Sequence, residues 1–485
     1  MRKNTNVLVI TGVNIIDVLR KTVHENSTII CVDGRIKSIA PADSSPFAEN
    51  AEVLNLPGKY VLPGLIDAHV HLALSSVDDM GKFTTESMTK RYLRNSLLTL
   101  QSGVTTVRNM PGRYGSSIFK FRDKVNAGKY IGPRILASGQ ALVPSYGYFS
   151  IKGYIPAPAI IRKALSIVFG AHGLSIDVDT SEEVPGVVRK LKKAGVDFIK
   201  TTTPGSAFDI MPEIRETLRG KADPRILDAG MKPEVLEAIV KCAHSEGLKV
   251  AAHTMALPEH VKQGVNAGLD SIEHTPFGII DAETWEQVRE DGVCWVPTGF
   301  TFINVVNLIK NPDLFNSREY KEAIPEPYHS IGIEVLEKKR QAIQSGADPM
   351  WAKLYNEIAP RYEEEYFPVN FENAIKAGVK IIAGTDAGAG GAGWVPHGFF
   401  YKEIELFAKH GMTKHDVIRT ATINAAELLG VADELGSIDT GKIADFVMLD
   451  ENPLNNISAL RNITHVIKNG ILIANDFRKS KPPSC

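Results

Sequence analysis

The sequence predicts an α/β protein: a TIM-like (β/α)8 barrel joined to a small composite β-sandwich domain built from both termini. Three observations predict it. The long middle of the chain alternates β-rich runs with helical stretches, eight such units can be counted there, and strand-like segments with hairpin turns occur at both ends.

Residues 1–60 read as short strands split by turns: NVLVITGVNII, then STIICVDGRIKSIA with an Asp33-Gly34 hairpin signal, then AEVLNLPGKYVLPG. Residues 436–485 repeat that texture in ADFVMLDENP and THVIKNGILIAND, where Asn469-Gly470 is a second favoured hairpin turn. The two ends are expected to pair into one domain, with the barrel, 61–435, between them. Its candidate strands are LIDAHVHL (65–72), VTTVRN (104–109), RILASGQ (134–140), VDFIKTT (196–202), LKVAAH (248–253), DSIEH (270–274), VCWVPT (293–298) and VKIIAGTD (379–386). Several follow a glycine suited to ending a helix, as in AGVDFIK, EGLKVAAH, AGLDSIEH and AGVKIIAG. Between the seventh and eighth strands lies a helical insertion at about 300–370, in which SREYKEAI, GIEVLEKKRQAIQ and PMWAKLYNEIAPRYEEEYF read as helices. A solvated helical excursion and a lid over the site both fit that segment.

Composition narrows the function. With 485 residues, 44% hydrophobic and 23% charged, the chain can bury a barrel core and a modest second domain. Its 55 basic residues balance 56 acidic ones, so no global field draws it to nucleic acid or to an anionic membrane, and a small-molecule substrate fits better. Cys31, Cys242, Cys294 and Cys485 lie far apart without a CxxC pair, which suits a reducing, cytoplasmic setting. The apolar run VLVITGV near the start is short and is followed by no small-residue cleavage pattern, so it reads as a strand, and no apolar run is long enough for a spanning helix.

The chemistry-bearing residues sit at strand ends. His69 and His71 are two apart in a strand, so both side chains face one way and can grip one metal ion, although a strand pair of histidines taken alone is more often a polar patch. Lys200 ends the fourth candidate strand, His253 the fifth, His274 the sixth and Asp386 the eighth. In a barrel these six side chains converge on the carboxyl-end mouth, where active sites are built. An ammonium ion has no lone pair for a metal, but burial near positive charge lowers a lysine pKa, and a neutral amine can add carbon dioxide to form a carbamate able to bridge two ions. On position alone, Lys200 capping a strand with its head in solvent is an equal alternative.

The segments VLPGLIDAHVHL, FIKTTT, VAAHTM, SIEHTP and IIAGTDAG, with the tail ATINAAELLGVADELGSIDTGKIADFVMLDENPL, resemble the amidohydrolase superfamily nearly end to end. The likeness is nearest to its imidazolonepropionase-like branch, with metal-dependent prolidases and ochratoxinase-like amide hydrolases. The resemblance implies two divalent ions: His69, His71 and Asp386 would hold the buried one, His253 and His274 the more exposed one, and Lys200, as a carbamate, would bridge both together with a hydroxide. Zinc is the default for such ligands, with manganese or cobalt compatible. Bound water would be acidified by the cations, the exposed ion would polarise the scissile carbonyl, and Asp386 would take the proton and pass it to the leaving amine.

Two departures qualify the likeness. Prolidase-like relatives tend to read ASGRALSxTGGH after the third strand, whereas this chain reads ASGQALVPSYGY, placing Tyr148 where that histidine would be. After His253 those relatives often carry Tyr, and this chain has Thr254 and Met255. Tyr146, Tyr148 and His397 are candidate substrate contacts or loop-packing groups. Arg108 is a candidate for a substrate carboxylate or for an internal salt bridge. His244, His260, His410 and His415 have no partners at ligand spacing and read as surface residues, and the GAGGAG stretch at 388–393 lacks the Lys-Ser/Thr of a phosphate loop. The function expected is amide hydrolysis in a small molecule such as a dipeptide or an N-acyl amino acid. Hydrolysis of a cyclic amide, ester or phosphotriester is the alternative enzyme reading, and a non-catalytic scaffold is the other. Related barrels commonly assemble, so a homo-oligomer is compatible with the sequence.

Overall fold

Both chain ends enter one sheet. The computed structural model describes residues 6–42, 51–74, 86–112, 116–147, 150, 174–203, 229–255, 257–347, 352–388 and 395–475. The first strands are β1 (Val7–Asp17), β2 (Thr22–Val32), β3 (Arg35–Pro41), β4 (Glu52–Asn55) and β5 (Tyr60–Pro63). The middle of the chain supplies β6 (Leu65–Val70), β7 (Val104–Asn109), β8 (Arg134–Ala137), β9 (Ala141–Val143), β10 (Ser175–Asp177), β11 (Phe198–Thr202), β12 (Lys249–His253), β13 (Ser271–Glu273) and β14 (Cys294–Val296). The last strands, β15 (Phe446–Leu449), β16 (Ile463–Lys468) and β17 (Ile471–Asn475), return to the first group in an eight-stranded sheet of order β17-β16-β15-β5-β1-β2-β3, with β4 paired to β1. The hairpin turns at Asp33-Gly34 and Asn469-Gly470 meet there: Ala444 N donates to Gly34 O at 2.9 Å and Gly470 N to Ala444 O at 2.8 Å. This sheet closes on a core of its own that includes Leu8, Ile10, Ile29, Phe446 and Met448.

The middle strands pair only in parallel, in the orders β6-β7-β8 and β10-β9-β11-β12-β13-β14. Every residue of β6, β7 and β11 is buried, which is why they read as near-continuous apolar or small-residue runs without alternation. Helices such as Val184–Ala194, Pro233–Ser245 and Pro258–Asn266 separate the strands, and the glycines after them, Gly195, Gly247 and Gly268, have left-handed backbone and stop each helix before the next strand.

Two strand expectations need correction. VKIIAGTD is not a strand: its ladder is reduced to isolated bridges, Ile381 to Trp295 and Ala387 to Val70. The segment still lies between β14 and β6, because Ile382 N donates to Trp295 O at 2.9 Å, Ala68 N to Ala383 O at 3.0 Å and His71 N to Ala387 O at 2.8 Å. Regular pairing stops because Asp386 adopts φ 56° and Thr385 turns its N–H to the Asp67 carboxylate instead of a neighbouring strand. The short strands β9 and β10, each three residues, escaped detection because periodicity cannot be read over so few positions.

The insertion is helical over Gly299–Lys310, Arg318–Ala323 and Tyr328–Ser345 and again before and through Phe367–Ala377. Its apolar side is no solvated excursion: Phe302, Tyr320, Tyr355, Tyr362 and Phe367 are buried and join the main core. Among the described residues, no helix is long and apolar enough to cross a membrane.

Candidate metal centre

The carboxyl ends of β6, β11, β12 and β13 bring their polar side chains inward. Alternation along β6 sends Asp67, His69 and the following His71 to one face. His69 and His71 meet Asp386, each of the three offering a ligand atom within 4.8 Å of the others, all three buried. Nε2 of His71 lies 3.1 Å and Nε2 of His69 lies 3.4 Å from Asp386 Oδ1. The His274 ring is 4.7 Å from that of His69 and 4.4 Å from that of His253, so the histidines expected in two sets form one continuous cluster. Lys200, at the centre of β11, is 3% exposed.

The proton positions favour a cation. His69 Nδ1 donates to Glu273 Oε2 at 2.7 Å and His71 Nδ1 to Pro111 O at 2.6 Å. With both Nδ1 atoms engaged elsewhere, both Nε2 atoms face Asp386 Oδ1, a buried oxygen without a hydrogen-bond partner among the described residues. Lone pairs from two imidazoles and a carboxylate facing one another repel unless a positive ion sits among them, and this donor set suits a divalent metal. Lys200 Nζ is likewise buried without a hydrogen-bond partner among the described residues, the condition in which an ammonium is least stable.

Burial sets the electrostatics. It pushes the Lys200 ammonium down to about 8, with Arg108 adding to the effect and Glu273 and Asp386 opposing it. His69, His253 and His274 are held well below the usual histidine range, first by burial and then by neighbouring cationic groups. Asp67 goes the other way, pushed up to about 7 by burial despite accepting hydrogen bonds from His69 N at 3.2 Å, Thr385 N at 3.0 Å and Thr385 Oγ1 at 2.6 Å. It ties β6 to the segment that carries Asp386.

Part of the site is strained. His274, Thr298 and Asp386 have φ between 46° and 75°, a region that non-glycine residues enter at a cost. The left-handed turn at His274 breaks the alternation of β13, so that Glu273 and His274 both reach the cluster. Thr298 in turn pairs its Oγ1 with His274 Nδ1 at 2.7 Å, and Trp295 Nε1 donates to His274 O at 2.9 Å.

The remaining candidates have other partners. Arg108 makes the internal salt bridge and is no substrate clamp: its Nη2 meets Glu273 Oε1 at 2.6 Å, Nη1 donates to Ser271 Oγ at 2.9 Å and Nε to Ala68 O at 2.6 Å. A buried guanidinium requires such a counter-charge. His397 is buried, its Nε2 pairing with Leu74 O at 3.3 Å, and burial drops it to about 3, so it packs the loop after β6 as a neutral ring. Tyr146 is half-buried, with its N–H on Ser150 Oγ at 3.1 Å. Tyr148, and the glycine-rich stretch beyond Gly388, lie outside the described residues. His244 is a partly exposed partner of Asp270 at 2.8 Å. Glu273 is the residue that sequence reasoning missed. Its one signal was an acidic side chain inside a short apolar strand, directly before a candidate ligand.

Residues 60–473 match the Amidohydrolase family. An ochratoxinase from Aspergillus niger is 29% identical over 434 residues, covering 85% of this chain and 75% of that protein. The solved structure of a Xaa-Pro dipeptidase with methionine bound in its active site superposes with a TM-score of 0.71 at 26% identity, over 96% of this chain and 99% of the other. A putative prolidase from Bifidobacterium longum gives a TM-score of 0.69 at 26% identity, over 97% and 95% of the two chains.

Proposed function

The chain belongs to the amidohydrolase family, and from that premise we propose that it is a metal-dependent hydrolase that cleaves an amide bond in a small molecule, a dipeptide or an N-acyl amino acid. The observation that carries the proposal is the convergence of His69 Nε2, His71 Nε2 and Asp386 Oδ1, with their protons turned away from one another. The prolidase and ochratoxinase names among its relatives support the amide as the bond attacked. The parallel strands and the segment between β14 and β6 are read as a TIM-like (β/α)8 barrel, with the terminal sheet as its companion domain.

In this reading His69, His71 and Asp386 would hold one divalent ion and His253 and His274 a second, with Lys200 as a carbamate serving both, zinc being the default metal. The carbamate forms when the neutral Lys200 amine bonds to the carbon of carbon dioxide and releases a proton. Bound there, the ions lower the pKa of water and polarise the scissile carbonyl. The protein's own residues do the rest. Asp386 receives a proton on its carboxylate and delivers it to the leaving nitrogen, so that the amine departs neutral. Neutral His253 and His274 keep their lone pairs available, and the buried walls of the site exclude bulk water.

The test is elemental analysis of the purified wild type and Lys200→Ala, with a dipeptide and N-acyl amino acid library assayed in parallel. About two metal ions per wild-type chain are expected, with metal and turnover both falling in the variant. A wild type that takes up no metal after reconstitution, or a variant unchanged in both readouts, refutes the reading.

A further inference from the structure

Glu273 belongs to no ligand set, yet it is fully buried against one. We propose that Glu273, gripped by Arg108 and Ser271, is a positioning residue that keeps the His69 proton on Nδ1 and so holds the Nε2 lone pair toward the metal. The inference rests on the metal-centre reading above and deepens it.

The geometry points Glu273 at the His69 ring. Its Oε2 accepts from His69 Nδ1 at 2.7 Å, while Oε1 accepts from Arg108 Nη2 at 2.6 Å and Ser271 Oγ at 2.6 Å. Three donors from β6, β7 and β13 therefore converge on one carboxylate that is 0% exposed. An ionised carboxylate only accepts, so His69 must offer its proton at Nδ1 and leave Nε2 bare. Arg108 makes the arrangement rigid. Its Nε is fixed on Ala68 O at 2.6 Å, beside His69 in the chain, and its guanidinium lies over the Phe198 ring at 5.4 Å. The guanidinium both neutralises the buried carboxylate and prevents it from turning. His71 has a backbone carbonyl for the same purpose. His69, by contrast, depends on a side chain that a single substitution can alter without removing a ligand.

Glu273→Gln tests this at nearly constant volume. An amide has one acceptor oxygen for three donors, and the charged Arg108 takes it in preference. The amide NH2 then faces His69, which can pair with it only by moving its proton to Nε2, onto the lone pair the metal needs. Outer partners of ligating histidines typically change metal affinity ~10–100-fold, and a loss of that size is expected here.

The experiment uses the full chain stripped of metal and titrated with zinc against a chromophoric chelator, for wild type, Glu273→Gln, His69→Asn and the double variant. Glu273→Gln is expected to weaken zinc binding ~10–100-fold in the wild-type background and to add nothing in the His69→Asn background, because it acts through that ring. Nitrogen-15 spectra of histidine-labelled, metal-free protein are expected to show one ring changing from the Nδ1–H to the Nε2–H tautomer. Equal zinc affinity in wild type and Glu273→Gln, or the same loss in both backgrounds, overturns the proposal. Should Glu273→Gln fail to fold, Arg108→Met/Glu273→Leu removes both buried charges together. That pair is expected to fold and to bind zinc as weakly, and wild-type affinity in it also overturns the proposal. A wild type that binds no zinc would instead sink the metal centre itself, and this inference with it.

Discussion

Replacing Thr298 separates what holds the fold from what holds the metal. This residue carries both a strained backbone, at φ 46° and ψ 41°, and the hydroxyl that pairs with His274 Nδ1 at 2.7 Å. Thr298→Val keeps the shape and the strain and deletes only the hydroxyl. Leaving the buried ring nitrogen without its partner costs ~1–3 kcal/mol. Thr298→Gly deletes the same hydroxyl but relieves a left-handed penalty of roughly 1–2 kcal/mol, offset by ~0.5–1 kcal/mol of added chain entropy. The net relief of up to about 1.5 kcal/mol is offset by the buried side-chain packing that glycine gives up, roughly 0.8 kcal/mol per carbon, so the two variants are expected to lie within about 1 kcal/mol of each other. Metal affinity follows a different rule. Both variants free the His274 ring to rotate and to change tautomer, so both are expected to bind zinc ~10–100-fold more weakly than wild type. Urea unfolding of the metal-free protein gives the stability order, and competition with a chelator gives the affinity. If Thr298→Gly keeps wild-type affinity, or if affinity simply follows stability across the three proteins, the hydroxyl does not orient His274 and the reasoning fails.

Other perturbations reach the same site from different sides. Gly388, at φ 92°, has no room for a side chain: a Cβ there would lie 2.5 Å from His71 O and 2.8 Å from His397 Nε2. Gly388→Ala is expected to displace the backbone beside His71, lowering the melting temperature of the metal-free protein and the metal content together, and an unchanged melting curve would contradict this. Glu403 is buried where it receives Gly299 N and Phe300 N, both at 2.8 Å, and burial pushes its carboxyl up to about 8. An acid with a raised folded pKa stabilises fully only below its unfolded value and loses that contribution as the pH climbs through the folded one. Glu403→Gln, which cannot ionise, is therefore expected to gain stability relative to wild type between about pH 4.5 and 8, by an amount on the order of a few kcal/mol. Unfolding measured across that range checks the sign, and a gain on acidification would refute it. Tyr355→Phe removes a buried phenol of the insertion that donates to Val305 O at 3.0 Å, and is expected to cost ~1 kcal/mol in unfolding free energy. No change would mean that the insertion is held by packing alone.

How much of this was legible in the sequence depended on whether a residue's direction followed from regular backbone. His69 near the end of β6 and His71 just beyond it stand two apart, so period-two alternation puts both on one face, and His253 ends β12, whereas Lys200 lies at the centre of β11 instead of at its end. The hairpin turns at Asp33-Gly34 and Asn469-Gly470 were equally readable, because few residue pairs tolerate two left-handed positions in succession. Arg108 was ambiguous because an arginine at a strand end serves a ligand or a buried acid equally well, and nothing local identifies the acid across the sheet. Glu273, apart from being acidic within a short apolar strand, Thr298 and the Asp67–Thr385 pair left little local signal for a related reason. Each contacts its partner through a bond between distant segments, as with Asp67 and Thr385, or beside a residue whose positive φ breaks the alternation on which the reading depends.

That same irregularity bears on how the site works. His274 and Asp386 both point inward from backbone that would relax if unsupported, so their placement is only as firm as the bonds from Thr298 and Asp67 that oppose relaxation. The fold has separate supports, an apolar core through the parallel strands and another within the terminal sheet, which do not depend on those bonds. Loss of a supporting hydrogen bond should therefore register first as weaker metal binding in a chain that is still folded. Loss of core packing should do the reverse, lowering stability while the surviving folded molecules retain their affinity. The order in which metal and fold are lost along a series such as Thr298→Val, Gly388→Ala and Phe371→Ala thus distinguishes a site held by its own strained backbone from one held by the rigidity of the whole. The strained residues gathered at His274, Thr298 and Asp386 favour the first.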